Sequence, residues 1–125
     1  GTPVTQGSMR AFRAGGKFVA VHANKALLGP WRDAVASAAR RAWGPGLPIV
    51  GCVSVTLVFR FLRPLSAKKR VRPTVRPDID KLERAMLDAL TGVIYHDDAQ
   101  VTSLFARKVY CDLDPGVNVI VGPDG

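Results

Sequence analysis

The sequence predicts an α+β fold: one mixed β-sheet with two helices packed on one face, in the approximate order β-α-β-α-β-β. Three observations predict it. Residues 49–62, IVGCVSVTLVFRFL, alternate so that Val53, Val55, Leu57, Phe59 and Phe61 form a wholly apolar face. Two segments, 30–43 and 79–90, carry apolar residues at helical spacing. Shorter β-prone runs lie at 17–21, 101–110 and 117–121. A chain of 125 residues, 47% apolar and 22% charged, suits a single domain over 1–125 and excludes a disordered chain.

KFVAV (17–21) reads as the arm of a hairpin. The first helix opens at Gly29-Pro30, where proline's missing N–H is not needed. Trp31, Val35, Ala38, Ala39 and Ala42 form its apolar stripe, and GPGLP (44–48) stops it. The strand 49–62 follows. RPLSAKKRVRPTVRP (63–77) then holds six cations, three prolines and no acid, which predicts a flexible basic loop. In the second helix, Ile79, Leu82, Met86 and Leu90 make the stripe and Thr91-Gly92 ends it. Residues 101–110 fit a strand. Val101, Leu104 and Phe105 also fit helical spacing, and Asp97–Gln100 resembles a capping box, so one helical turn before the strand is an open alternative. DLDPG (112–116) is a turn before the closing strand.

The formal net charge is +8, which favours phosphate polymers as partners. No apolar run approaches the roughly 18 residues of a membrane span, and the first residues lack a signal peptide's apolar segment. A cytoplasmic protein is the expectation. Cys52 and Cys111 have no partner at zinc-ligand spacing, which leaves two buried reduced thiols or a disulfide between neighbouring strands.

Six of the ten acids lie between positions 78 and 98, inside a strongly basic chain. Phosphodiester hydrolysis gives a reason: a divalent ion polarises the phosphoryl group, and a hard ion such as Mg²⁺ is held by one or two carboxylates. Asp78, Asp80, Asp97 and Asp98 are the candidate metal ligands. Lys81 or Arg84 could touch the scissile phosphate, and Arg63, Lys68, Lys69, Arg70, Arg72 and Arg76 form a candidate DNA clamp. Spacing alone leaves the alternatives open, since Asp80 suits a helix N-terminus and Asp97 or Asp98 a turn cap. Asp112 and Asp114 repeat the D-x-D spacing in what reads as turn chemistry. His96 adjoins Asp97 and reads as a surface turn residue or a base.

RPDIDKLERAMLDALTGVIYHDDAQV (76–101) resembles the signature of the RusA family of Holliday-junction resolvases: D-x-D, a helix ending in D-A-L, a short link and D-D-x-Q-V. GSMR near the start, PWRDAV (30–35) and RK-x-Y (107–110) extend the likeness more loosely. The resemblance implies a homodimeric, Mg²⁺-dependent endodeoxyribonuclease, with Mn²⁺ as an expected substitute. Such an enzyme makes paired symmetric nicks in four-way DNA junctions in a bacterial or phage setting. It places the essential acids at Asp78, Asp80 and Asp98, with Asp97 beside them. A family lysine falls at Arg84 and a family asparagine at Lys81. Arginine keeps the charge as a planar fork, and Lys81 is expected to share the work. The family also carries a strand ahead of the segment matching GTPVTQGSMR, which implies a sheet one strand short. The competing reading is a non-catalytic basic module that binds junctions and whose acids only cap and pair. A third is a metal-dependent hydrolase of small phosphate esters, which the basic loop disfavours.

Overall fold

The fold is known from a computed structural model that describes residues 10–15, 28–64, 72–74 and 78–125. The elements are β1 (Arg10–Gly15), α1 (Leu28–Trp43), β2 (Val53–Leu62), α2 (Ile79–Leu90), β3 (Val101–Cys111) and β4 (Gly116–Pro123). A one-turn 3₁₀ helix, Asp98–Gln100, leads into β3, so the turn-then-strand alternative is the one adopted. The four strands form one mixed sheet ordered β1-β4-β2-β3. β4 runs antiparallel to both β1 and β2, and β3 parallel to β2. A parallel pair needs a long crossover, and α2 supplies it. The expected arm at 17–21 lies outside the described residues, and the first described strand falls at 10–15.

Alternation in β2 sends Val53, Val55, Leu57, Phe59 and Phe61 to the same side, where all are buried. Val117, Val119 and Val121 of β4 join them, as do Val35 and Ala39 of α1 and Leu82, Met86 and Leu90 of α2. Both helices therefore cover one face of the sheet. Trp31 seals that layer: its ring stacks on Phe59 at 6.1 Å and meets Phe61 at 5.4 Å. Burying such a set at about 25 cal/mol per Å² is what holds the layers together.

β2 starts later than its apolar run suggests. Gly51 sits at φ +96, a left-handed conformation that interrupts the strand, and Ile49 makes only an isolated bridge to Tyr95. Cys52 is exposed and Cys111 half-buried, and both thiols are free. Cys52 precedes β2 while Cys111 pairs with Leu62 at its end, roughly 30 Å away at strand rise, so no disulfide can form between them. No helix among the described residues is long and apolar enough to cross a membrane.

Candidate active site

α2 starts at Ile79, with Asp78 in the N-cap position at φ −68 and ψ 146. An aspartate there ordinarily turns its carboxylate back onto the free N–H groups of the first turn. Asp78 does not: it makes no side-chain cap bond. Asp80 occupies the first turn, where the helix dipole favours an acid. Both are exposed, and neither carboxylate has a hydrogen-bond partner among the described residues.

These two acids line a cleft of about 950 Å³ between the N-terminus of α2, residues 72–74 and the second half of β3. Arg72, Arg107 and Lys108 line it as well. Lys108 pairs with Phe59 in the β2–β3 register and so lies on the helix-bearing face, with its Nζ 5.7 Å from the centre of the Phe61 ring. Burial lowers its pKa, and the charge of Asp78 opposes that shift. Glu83, one turn after Asp80, has its carboxyl pKa raised, first by burial and then by the Asp80 charge. A carboxylate pair thus stands among three cations.

Asp97 and Asp98 do not join that group. The Asp97 carboxylate accepts from the Ala99 N–H at 2.9 Å, and Gln100 Oε1 accepts from the Asp97 N–H at 3.0 Å, completing a capping box. Gln100 Nε2 also donates to the carbonyls of Ile49 and Gly51, both at 2.9 Å, which fixes this turn beside the start of β2. Asp98 is exposed, and its carboxylate makes no hydrogen bond among the described residues. It acts on Tyr95, whose hydroxyl donates to the Leu87 carbonyl and whose pKa is pushed up to about 12, chiefly by burial. Leu87 lies seven residues along α2 from Asp80, about 10 Å at helical rise. Among the described residues no three acids, histidines or cysteines come together as a metal group.

Lys81 and Arg84 are exposed on α2 and do not line the cleft. Of the expected clamp, Arg72 lies in the cleft wall and Arg63 stacks on Tyr110, 4.4 Å from the ring centre. Lys68, Lys69, Arg70 and Arg76 lie outside the described residues. His96 is exposed, and its backbone N–H donates to Gln100. Asp114 sits in the expected turn and also pairs with the buried Arg60 at 3.1 Å. The residues that sequence reasoning passed over are Arg107 and Lys108. Their signal was present in RK-x-Y, since alternation from the apolar Ala106 and Tyr110 places Lys108 on the helix-bearing face.

An N-cap carboxylate that does not cap, paired with a second acid and set among cations, defines a basic α+β protein equipped to meet a phosphate backbone. The chain matches the endodeoxyribonuclease RusA family over residues 1–122 and belongs to that family, whose members are junction-resolving endonucleases. It is also similar to the uncharacterized protein YqaN of Bacillus subtilis (strain 168), 31% identical over 134 residues, covering 97% of this chain and 90% of the relative.

Proposed function

We propose that this protein is a Mg²⁺-dependent endonuclease that resolves four-way DNA junctions as a homodimer, with Asp78 and Asp80 holding the ion. The observation that carries the reading is Asp78, an acid at a cap position that does not cap, facing a cleft shared with Asp80 and three cations. Two exposed carboxylates fit a hard divalent ion that completes its shell with water and substrate oxygens. The ion, when bound, polarises the phosphoryl group and makes an attacking water more acidic. Arg72 and Arg107 grip the strand through its phosphates. Water adds to phosphorus, the bond to the leaving ester oxygen breaks, and that oxygen takes up a proton, leaving a hydroxyl end and a phosphomonoester end.

Asp98 enters this scheme through a second copy. Among the described strands β3 lies at an edge of the sheet, with Leu104 38% and Phe105 58% exposed. A two-fold axis across such an edge runs the two β3 strands in opposite directions. The start of one, carrying Asp98, then lies beside the later half of the other, where the cleft is. Each cleft would hold Asp78 and Asp80 from one chain and Asp98 from its partner.

The test is a labelled four-way junction incubated with Mg²⁺ or Mn²⁺. Wild type is expected to nick two opposed strands, and Asp80→Asn to lose at least a hundredfold in rate while still binding. A junction bound but never cut, under either ion, would leave the non-catalytic binding module as the reading. Equal cutting of linear duplex would remove the junction preference and keep the nuclease.

A further inference from the structure

Lys81 and Arg84, the cations that follow the two acids on α2, are exposed and stand outside the cleft lining. The cleft takes its lysine from a different element. Lys108 is borne by β3, at the end of the described strand order opposite β1, and its position is fixed by the ladder to Phe59 of β2. Its ammonium nitrogen lies 5.7 Å from the centre of the Phe61 ring, which Trp31 meets from the core side. Asp78 is close enough for the two charges to act on each other, and Asp80 shares the same cleft wall. Arg84, by contrast, reaches from an exposed helical position with a flexible stem. A cation held in place before substrate arrives stabilises developing charge without reorganisation.

We propose that Lys108 is a catalytic residue whose ammonium donates to a non-bridging oxygen of the scissile phosphate, the role that sequence position alone would give to Arg84 or Lys81. This rests on the nuclease reading above. During hydrolysis Lys108 gives up no proton; it offsets the negative charge that gathers on the phosphoryl oxygens as water adds and the ester bond breaks. Restoring charge at position 108 should therefore restore turnover, whichever atoms carry it.

The experiment uses Lys108→Met and, in a Cys52→Ser/Cys111→Ser background, Lys108→Cys before and after alkylation with 2-bromoethylamine, which rebuilds an ammonium on a thioether stem. Single-turnover nicking by Lys108→Met is expected to fall about a hundredfold or more, as for loss of one preorganised donor. In EDTA, the salt slope of junction binding should become shallower by about one phosphate contact, near 0.9. Alkylation should recover at least tenfold of the lost rate in the same folded preparation. Nicking by Lys108→Met within threefold of wild type, an unchanged salt slope, or no recovery on alkylation each overturns the assignment. A wild type that nicks and a Lys108→Met that nicks equally refute Lys108 alone, whereas a wild type that nicks nothing overturns the nuclease reading with it.

Discussion

Asp78 and Asp97 both stand at cap positions, and their side chains do opposite things. Asp97 accepts the Ala99 N–H and anchors a turn, while Asp78 leaves its helix uncapped and faces the cleft. An uncapped N-terminus forgoes about 1 kcal/mol of helix stability, the usual worth of such a bond. That cost makes sense if the carboxylate is needed elsewhere. Asp97→Ala should therefore lower stability by about 1 kcal/mol, read as a drop of a few degrees in Tm. Asp78→Asn should leave Tm unchanged or higher and cut nicking by at least a hundredfold. An Asp78→Asn protein that melts several degrees lower would mean that Asp78 is structural.

Gln100 shows the same logic at the scale of an element. One side chain accepts from the His96 and Asp97 N–H groups and donates to the Ile49 and Gly51 carbonyls. Through it the Asp97-Asp98 turn is tied to the approach to β2. Gln100→Ala strips partners from four backbone groups and should cost about 2 kcal/mol. Gln100→Glu keeps the acceptor, sets an anion against two carbonyls, and should be no better. Urea unfolding of the three proteins decides it; a Glu variant as stable as wild type would show that only the acceptor matters. At the lower end of the sheet, Asp124 accepts from the Thr102 and Ser103 hydroxyls, both at 2.6 Å, and these bonds hold its carboxyl pKa below the usual value. A depressed folded pKa gives stability that is present above the unfolded value near 3.9 and lost as pH falls through the folded one. Asp124→Asn should therefore flatten the part of the acid limb of a Tm–pH profile that lies below the ordinary aspartate pKa of about 3.9, and an identical limb would exclude the contribution.

Elements were legible where a single period dominated. Both helices and the apolar face of β2 follow directly from spacing, because each buries one stripe against one core. The start of β2 was not, since Gly51 adopts a left-handed φ that alternation cannot register. The cleft was half legible: the D-x-D pair and Arg72 stand in it, but Lys108 arrives from a strand 30 residues later in sequence through a parallel ladder. Sequence proximity favoured Arg84 and Lys81, and topology brings Lys108 instead. The same topology separates Asp98 from Asp80, which adjacency in the acidic cluster had joined.

That separation has a consequence for the whole molecule. If each site draws Asp78 and Asp80 from one chain and Asp98 from the other, no single chain can be active, and damage to the two groups must complement. Asp80→Asn and Asp98→Asn homodimers would each be inactive, because both of their sites lack one acid. Mixed and allowed to exchange subunits, half of the dimers at equal concentrations would be heterodimers. In these, one site carries both substitutions and the other carries none. Nicking should reappear at roughly a quarter of the wild-type rate on a single-strand readout, since half of the dimers have one of two sites intact. The restored activity should cut one strand per encounter, so nicked junctions accumulate and paired resolution stays rare. A site built within one chain predicts the reverse: every site in the heterodimer lacks an acid, and mixing restores nothing. A double variant, Asp80→Asn with Asp98→Asn on the same chain, mixed with wild type provides the counterpart. Composite sites then leave the heterodimer with no intact site, whereas sites within one chain leave it one.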